Sequence, residues 1–214
     1  MTYHVIRNLA LWLVGTFCLP LALSSVATSG LSAADGPKLR LDLQFKGERY
    51  CAGDVDGGTL QLTYALRFVN TSLRPMILSK GAGPILEILA AHDRAGLLGP
   101  APQYRLLSTN VILHTLPLDS ARPGPEAVIL GPGRSYSVRE IVAVPVSKNP
   151  PSPAFLASGD YFLQIAAETW SDSEELGTQQ RERWKGWGYL WTEPIKSEPT
   201  QIRIAANHKM ANCH

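Results

Sequence analysis

Hydrophobic and polar residues alternate strictly in two early segments of the chain. In residues 38–46, every second residue is apolar and each residue between them is polar or charged. Residues 59–70 repeat the pattern, with the apolar side chains at Leu60, Leu62, Tyr64, Leu66 and Phe68. A period of two residues places one set of side chains on one face of a strand. The two segments therefore predict half-buried β-strands, and the glycine-rich stretch between them predicts a turn.

Shorter segments of similar character follow along the rest of the chain. Residues 84–93 are apolar on both sides, which fits a buried strand or one helical turn, and we favour the strand because Pro84 precedes it and glycines flank the region. The chain has 16 prolines, which oppose long helices because proline breaks the ladder of helix hydrogen bonds. Seven to nine short strands without an evident amphipathic helix predict an all-β antiparallel sandwich. The further strand segments are residues 76–80, 104–108, 110–116, 135–146, 155–170 and 199–206.

The segment 155–170 contains a second structural signal. Leu156, Gly159 and Tyr161 form an L-x-x-G-x-Y arrangement. This spacing is typical of a tyrosine corner, in which a tyrosine at the start of a late strand hydrogen-bonds back across the preceding turn. The arrangement therefore favours a sandwich of the immunoglobulin type.

Four segments together resemble secreted bacterial immunoglobulin-like domains. They are residues 62–78 with N-T-S between two strands, 130–138 with L-x-P-G, 155–165 with L-x-x-G-x-Y, and the closing strand 190–204. The first three are similar to the domain of the BsuPI-type proteinase inhibitors. The resemblance implies an immunoglobulin-like antiparallel β-sandwich of seven to nine strands, and it makes proteinase inhibition one functional alternative. The long charged segment 171–183 departs from the compact inhibitor domain, which weighs against inhibition.

The N-terminal segment predicts export. A basic start precedes an apolar run at residues 9–27, and small residues follow, in the order typical of a secretory signal peptide. We expect residues 1–34 to be removed, with cleavage after Ser29 as the alternative site. Residues 35–214 then form a single domain of a secreted or periplasmic protein. An uncleaved membrane anchor is the other possibility, which the short run and Pro20 disfavour.

The chain has three cysteines, and removal of the signal peptide takes Cys18 with it. Cys51 and Cys213 then form an even pair in an oxidising compartment. We predict a disulfide between them that ties the C-terminal tail to the first loop, with two free thiols as the alternative. Because the bond closes a long loop, the chain-entropy model credits it with about 4–5 kcal/mol of stability.

Charge and motifs argue against several functional classes. Removal of residues 1–34 lowers the net charge from +2 to +1, with 19 basic against 18 acidic residues, which does not suggest a nucleic-acid surface. Histidine spacing matches no zinc site, and Asp54, Asp56 and Gly57 match only the start of a calcium loop. No G-x-S-x-G nucleophile motif occurs. We therefore predict no metal, no cofactor and no enzyme activity.

Aromatic residues are concentrated in residues 184–192, WKGWGYLWT. Strand alternation would align Trp187, Tyr189 and Trp191 on one side, where they would form a platform on which a sugar stacks. Alternatively, the rings pack in or over the sandwich core, since large aromatics dominate core energetics, and Trp170 pairs with one of them across a hairpin. We favour core packing and keep the platform as the alternative. The possible ligand-binding residues are Trp170, Trp184, Trp187, Tyr189 and Trp191.

The charged segment 171–183 is predicted to be a loop that joins the last two strands. This end of a sandwich is often used for binding. The leading hypothesis is a non-catalytic binding or assembly module that contacts a protein partner through this loop and the nearby aromatics. A carbohydrate-binding module that holds a polysaccharide and a proteinase inhibitor are the alternatives, and we expect membrane contact only through an uncleaved signal peptide. The loop's candidate contact residues are Glu174, Glu175, Arg181, Glu182 and Arg183.

Overall fold

The computed structural model describes most of the chain after the predicted signal peptide. All described residues belong to a compact unit that spans residues 33–214. The predicted signal peptide, the carboxylates of the calcium-loop-like turn and the predicted strand at 110–116 lie outside the described residues. No helix within the described part is long and apolar enough to cross a membrane. The described ranges are 36–53, 57–80, 85–99, 104–108, 120–150, 155–170, 172–206, 209 and 211–213.

The described residues form eleven strands and two helices. The prediction of seven to nine strands is therefore too low, because two-residue strands are too short for alternation to reveal them. The sequence showed no evident amphipathic helix, and the structure adds two helices of 5 and 11 residues. In chain order the elements are β1 (Leu39–Ala52), β2 (Gly57–Asn70), β3 (Met76–Ser79), β4 (Ile85–Ala91), α1 (Arg94–Leu98), β5 (Tyr104–Ser108), β6 (Ala127–Leu130), β7 (Ser135–Ser147), β8 (Gly159–Glu168), α2 (Glu174–Trp184), β9 (Tyr189–Leu190), β10 (Ile195–Lys196) and β11 (Thr200–Ile204).

The first sheet has the strand order β1-β2-β7, and both pairs are antiparallel. The predicted alternation is confirmed in β2, where every apolar position of the pattern is buried and the residues between Leu60 and Phe68 on the other face are half-buried or exposed. Phe45 is an exception in β1. It was predicted to face inward, but it is 50% exposed, because it lies on an outer strand next to a β-bulge between Phe45 and Gly47.

Two further sheets complete the strand pairing. The second has the order β10-β8-β4-β5, and β11 also pairs with β8. The third has the order β6-β3-β9, in which β3 and β9 run parallel, while the other paired strands of the described chain are antiparallel. The segment 84–93 is a strand as predicted, since β4 lies between β8 and β5. The fold is therefore predominantly β, with mainly antiparallel sheets.

One main core cluster takes side chains from all three sheets. The strand β8 contributes from a central position, which explains why six of its ten residues are buried. Burial of such aliphatic and aromatic side chains is the dominant favourable term in folding. The largest fully buried members of the cluster include Tyr64, Phe68, Met76, Ile88 and Tyr161.

The tyrosine corner that the sequence predicts is present at the start of β8. The Tyr161 hydroxyl donates a hydrogen bond to the Ala157 carbonyl oxygen at 3.2 Å, across the turn that contains Gly159. Gly159 has a φ of +153°, a value that residues with a Cβ rarely adopt. The tyrosine therefore fixes the entry of β8 into the core.

The predicted disulfide between Cys51 and Cys213 is confirmed. It joins the end of β1 to the C-terminal tail over a sequence separation of 162 residues. Backbone hydrogen bonds support the same contact, since Ala211 accepts from Ala52 at 3.0 Å and donates to Tyr50 at 2.9 Å. The tail is thus attached to the first sheet by both covalent and hydrogen bonds.

Tyr64 carries a buried hydroxyl that has no hydrogen-bond partner among the described residues. Burial raises the pKa of Tyr64 to about 12, and the charge of Glu48 adds to the rise. The unfolded chain ionises this group near pH 10, so the folded state holds the proton more tightly. Ionisation of Tyr64 therefore leaves stability unchanged below about pH 10, and it lowers the free energy of unfolding by about 2–3 kcal/mol in total as the pH rises to about 12.

We expect Tyr64→Phe to unfold at the same or higher urea concentration at pH 7, because it removes an unpaired buried hydroxyl. Between pH 10 and pH 12 its stability should fall less steeply than that of the wild-type protein. Urea denaturation followed at several pH values measures both effects. Tyr136→Phe, at a half-buried position of β7, is the matched control. Equal slopes for wild-type protein and Tyr64→Phe would contradict the assignment of the pH dependence to Tyr64.

Candidate functional site

The segment predicted to be the charged loop 171–183 folds mainly as the helix α2. Its N-cap is Ser173, whose hydroxyl accepts a hydrogen bond from the Leu176 amide at 3.3 Å. Acidic residues occupy the first turn and basic residues the last turn, which is the arrangement that the helix dipole favours. The loop prediction is therefore wrong, and the serine followed by two glutamates was the sequence signal for a helix start.

Gly177 lies in the interior of α2, where glycine weakens a helix. The structure gives a packing reason for it. A Cβ at Gly177 would lie 3.1 Å from Thr192 Cγ2 and 3.3 Å from Trp170 Nε1. The glycine thus lets the helix approach both residues closely, and tertiary packing outweighs local propensity here.

Arg181 connects α2 to the segment that follows β9. Its Nε donates to the Leu190 carbonyl oxygen at 3.0 Å, and its Nη2 donates to Glu193 Oε1 at 2.6 Å and to the Thr192 hydroxyl. Its guanidinium also lies over the Tyr189 ring, 4.9 Å from the centroid. The sequence suggests Arg181 as a residue of a possible partner loop, and these contacts give it a structural role in holding α2 to the segment after β9.

Glu193 is the acceptor at the centre of this clamp. Besides Arg181, the Tyr189 hydroxyl donates to its Oε1 at 2.8 Å, and the Thr192 amide donates to its Oε2 at 3.2 Å. Burial raises the pKa of Tyr189, the hydrogen bond to Glu193 raises it further, and the charge of Arg181 acts in the opposite direction. The sequence reasoning missed Glu193, since a lone acid before a proline gives no signal of such a role.

Three of the five predicted aromatic residues belong to the core or cover it. Trp170 and Trp184 are buried in a second cluster with Ile77 and Leu190, and Trp184 Nε1 donates to the Ser120 carbonyl oxygen at 2.9 Å. Trp191 is half-buried and packs against the main core. These rings have the structural role that core packing predicts.

Tyr189 and Trp187 have different surroundings from those three. Tyr189 pairs with Met76 of β3 through the parallel strand β9 and is half-buried. Trp187 is 49% exposed and stands between Gly186 and Gly188, after the end of α2. The expected strand alignment of Trp187, Tyr189 and Trp191 is absent, because β9 contains only two residues and the Tyr189 and Trp191 rings meet edge-on at 70°.

A groove with a volume of about 360 Å³ surrounds Trp187. We call it the Trp187 groove. Its aromatic residues are Trp187 and Tyr189, its wall opposite α2 is formed by Arg74 and Pro75, and Lys185 lies at the helix end. The sequence reasoning did not select Arg74, Pro75 or Lys185, because two of them are more than 100 residues distant along the chain from Trp187.

The two walls of the Trp187 groove are held together closely. Gly188 has a φ of +151°, and a Cβ there would lie 2.7 Å from the Pro75 carbonyl oxygen. The Tyr189 amide donates to that same oxygen at 2.9 Å. A side chain at position 188 would therefore separate the walls, and glycine is required for both conformation and close approach.

The wall that contains Arg74 is fixed from inside by Asn70, which is fully buried. Its Nδ2 donates to the Arg74 and Leu130 carbonyl oxygens, each at 2.8 Å. Its Oδ1 accepts from the Ser72 amide at 2.9 Å and from the Ser72 hydroxyl at 2.7 Å. The side chain thus uses both donors and both lone pairs, and it sets the conformation of the turn that presents Arg74.

A second cleft, of about 370 Å³, lies on the other side of Arg181. Its lining is acidic, and Arg181 is its basic residue. No group of three or more histidine, cysteine or carboxylate residues in the described chain is arranged to hold a metal ion. The acidic residues of this cleft are Glu168, Asp172, Glu174 and Glu193.

The remaining residues of the predicted partner loop lie on the outer side of α2. Glu174 and Glu175 are exposed in its first turn, and Glu182 and Arg183 are exposed near its end. Glu182 makes an ion pair with Lys185 at 3.1 Å, in which both side chains are about three-quarters exposed. The structure therefore brings Glu182 into the Trp187 groove and Glu174 into the acidic cleft, and it leaves Glu175 and Arg183 on open surface.

Comparison with known proteins yields little similarity. No protein-family model and no curated protein matches the chain. The chain is similar to the X-ray structure of Northeast Structural Genomics Consortium target SoR45, with 10% sequence identity, a TM-score of 0.35, and coverage of 85% of this chain and 98% of that chain. A similarity at this level identifies neither a family nor a function.

Proposed function

We propose that the protein is a non-catalytic binding module that contacts a protein partner through the Trp187 groove. The observation that carries this proposal is that Trp187 is exposed in a groove whose walls are held together by hydrogen bonds. Tryptophan, tyrosine and arginine are the residue types most enriched at the energetic centres of protein interfaces. All three types line this groove.

We further propose an immunoglobulin-like sandwich in an exported protein as the setting of this groove. The tyrosine corner at Tyr161 and the core cluster between antiparallel sheets support the fold assignment. The Cys51–Cys213 disulfide supports an oxidising compartment, as expected for a secreted or periplasmic protein.

A protein partner fits the aromatic residues better than a polysaccharide does. A sugar platform uses flat rings that present their faces together, whereas here Trp170 and Trp184 are buried and Trp191 packs on the core. The Arg181 guanidinium covers the Tyr189 ring. Trp187 is therefore the one aromatic ring of the groove that is free for a sugar to stack on. One anchoring ring in a small groove is typical of a peptide or protein contact.

The polar residues near the Trp187 groove support a binding role over a catalytic one. Arg181, Tyr189 and Glu193 are bonded to one another. A general base or nucleophile needs a free position toward the substrate. Because these three residues bind one another, they instead make the surface that carries Trp187 more rigid.

Selection of binders from a phage-displayed library of random peptides on the mature protein tests this proposal. We expect enriched peptides whose affinity falls at least about tenfold on Trp187→Ala, since anchoring tryptophans dominate such contacts. Leu98→Ala is the matched control, because Leu98 is a 77% exposed residue on α1 and should leave binding unchanged.

Three results would contradict the proposed function. One is the absence of peptide enrichment over an unrelated secreted protein. Another is an enriched pool whose affinity does not fall on Trp187→Ala. The third is retention on polysaccharide gels that Trp187→Ala abolishes without any peptide binding, which would assign the groove to a carbohydrate.

A further inference from the structure

We propose that the Trp187 groove accepts an acidic peptide segment of its partner, with carboxylates facing Arg74 and Lys185 and an apolar side chain covering Trp187. This inference rests on the proposed function and specifies the chemistry of the ligand. It follows from the charges of the groove, from the adjacent acidic cleft, and from the rigidity of the turn that carries Arg74.

The groove has an excess of positive charge that is available to a ligand. Three cations line it, Arg74, Lys185 and Arg181, against the single carboxylate of Glu182. Arg74 is exposed and makes no ion pair with any residue that the structure describes. Lys185 is paired with Glu182 where both are in contact with water, and such pairs are weak.

Arg181 separates this groove from the acidic cleft, because it lines both. Its own charge is engaged by Glu193 at 2.6 Å. A peptide rich in carboxylates is therefore attracted to the Arg74 side and repelled from the side of Glu168, Asp172 and Glu174. Attraction next to repulsion fixes the position of a charged ligand more strictly than attraction alone.

The two cations are presented on fixed backbone. The Arg74 carbonyl oxygen accepts from Asn70 Nδ2 at 2.8 Å. Lys185 directly follows the end of α2, which Arg181 clamps to the strand segment beyond it. A preformed site loses less conformational entropy on binding, so two accessible cations and one exposed ring can hold a short peptide.

The same observations disfavour other polyanions. Two available cations are few for a nucleic acid, whose binding depends on many phosphate contacts. An acidic polysaccharide would share the carboxylate chemistry, but the groove offers it one ring, Trp187, for stacking. The peptide is therefore the ligand that both the charge and the single anchoring ring favour.

Comparison of peptide pools selected on two forms of the protein tests this inference. We expect the pool selected on the wild-type chain to be enriched in aspartate and glutamate next to an apolar residue. Charge reversal of Arg74 and Lys185 (R74E, K185E) should lower the affinity of those peptides about tenfold or more and select peptides enriched in lysine and arginine. Lys46→Glu with Lys148→Glu is the control with the same change of net charge at exposed positions outside the groove.

The outcomes separate this inference from the proposed function. Peptides that depend on Trp187 but show no acidic excess would overturn the inference and leave the binding module intact. A pool that does not depend on Trp187 would overturn both. Trp187-dependent retention of polygalacturonate without acidic peptides would also overturn the inference, because the ligand would then be a sugar acid. Equal effects of the groove pair and the control pair would show that net charge, and not the groove, selects the ligand.

Discussion

Replacement of both disulfide cysteines by serine (C51S, C213S) is expected to lower the free energy of unfolding by about 4–5 kcal/mol in the chain-entropy model. The size follows from the loop that the bond closes, since Cys51 and Cys213 are 162 residues apart in sequence. Losing the bond returns that conformational freedom to the unfolded chain and so favours unfolding. Urea denaturation of the oxidised wild-type protein and of the double variant measures the difference.

We do not expect the hydrogen bonds of the tail to compensate for the stability that is lost with the disulfide. Arg49 donates to the Asn212 carbonyl oxygen at 3.0 Å, and Ala211 bonds to Tyr50 and Ala52. They involve only a few residues at the end of the chain, which is where local opening is easiest. An unchanged urea midpoint in the double variant, with no free thiol in the wild-type protein, would contradict the predicted contribution.

Asn70→Ala is expected to destabilise the protein by about 3–5 kcal/mol, because it leaves several buried polar groups unsatisfied. The carbonyl oxygens of Arg74 and Leu130 and the Ser72 amide and hydroxyl each lose a partner. Thermal and urea unfolding measure the loss. We also expect weaker binding at the Trp187 groove, since the turn that holds Arg74 loses its internal support.

Two further variants make the Asn70 prediction specific. Asn149→Ala changes an exposed asparagine and should leave stability within about 0.5 kcal/mol of the wild-type value. Asn70→Asp keeps the accepting oxygen for Ser72 but removes both donors, so it should be nearly as destabilising as Asn70→Ala. If Asn70→Asp were as stable as the wild-type protein, the two donated bonds would not be the source of the stability.

The strand pattern was the most predictable part of this molecule. In β2, Leu60 to Phe68 alternate in sequence and are buried as the alternation requires, because a strand with one buried face fixes the side of every residue. The strand at 84–93 and the tyrosine corner were found from the same local information. The exposure of Phe45 was not predictable in this way, because the burial of a residue on an outer strand depends on whether another element covers that strand.

The candidate site was far less predictable than the strands. The sequence reasoning selected Trp187 and Arg181, but it gave neither residue its role. Arg181 is clamped by Glu193 and Leu190, and those contacts exist only after α2 packs beside the segment that follows β9. The helix itself was missed because its charged residues were interpreted as a loop, and Gly177 lets this helix pack closely against Trp170.

The sequence by itself determined the strand alternation, the corner at Tyr161 and the pairing of Cys51 with Cys213. These depend on a local period, on a fixed spacing and on the number of cysteines. Only the tertiary structure decided that one tryptophan of the aromatic segment is exposed and that Arg74 faces it. That outcome depends on the parallel pairing of β3 with β9 and on the contact of Gly188 with Pro75, which join segments more than 100 residues apart. A contact between distant segments produces no hydrophobic periodicity in either segment, so the sequence pattern does not predict it. Only the packing of the folded chain decides which distant segments meet.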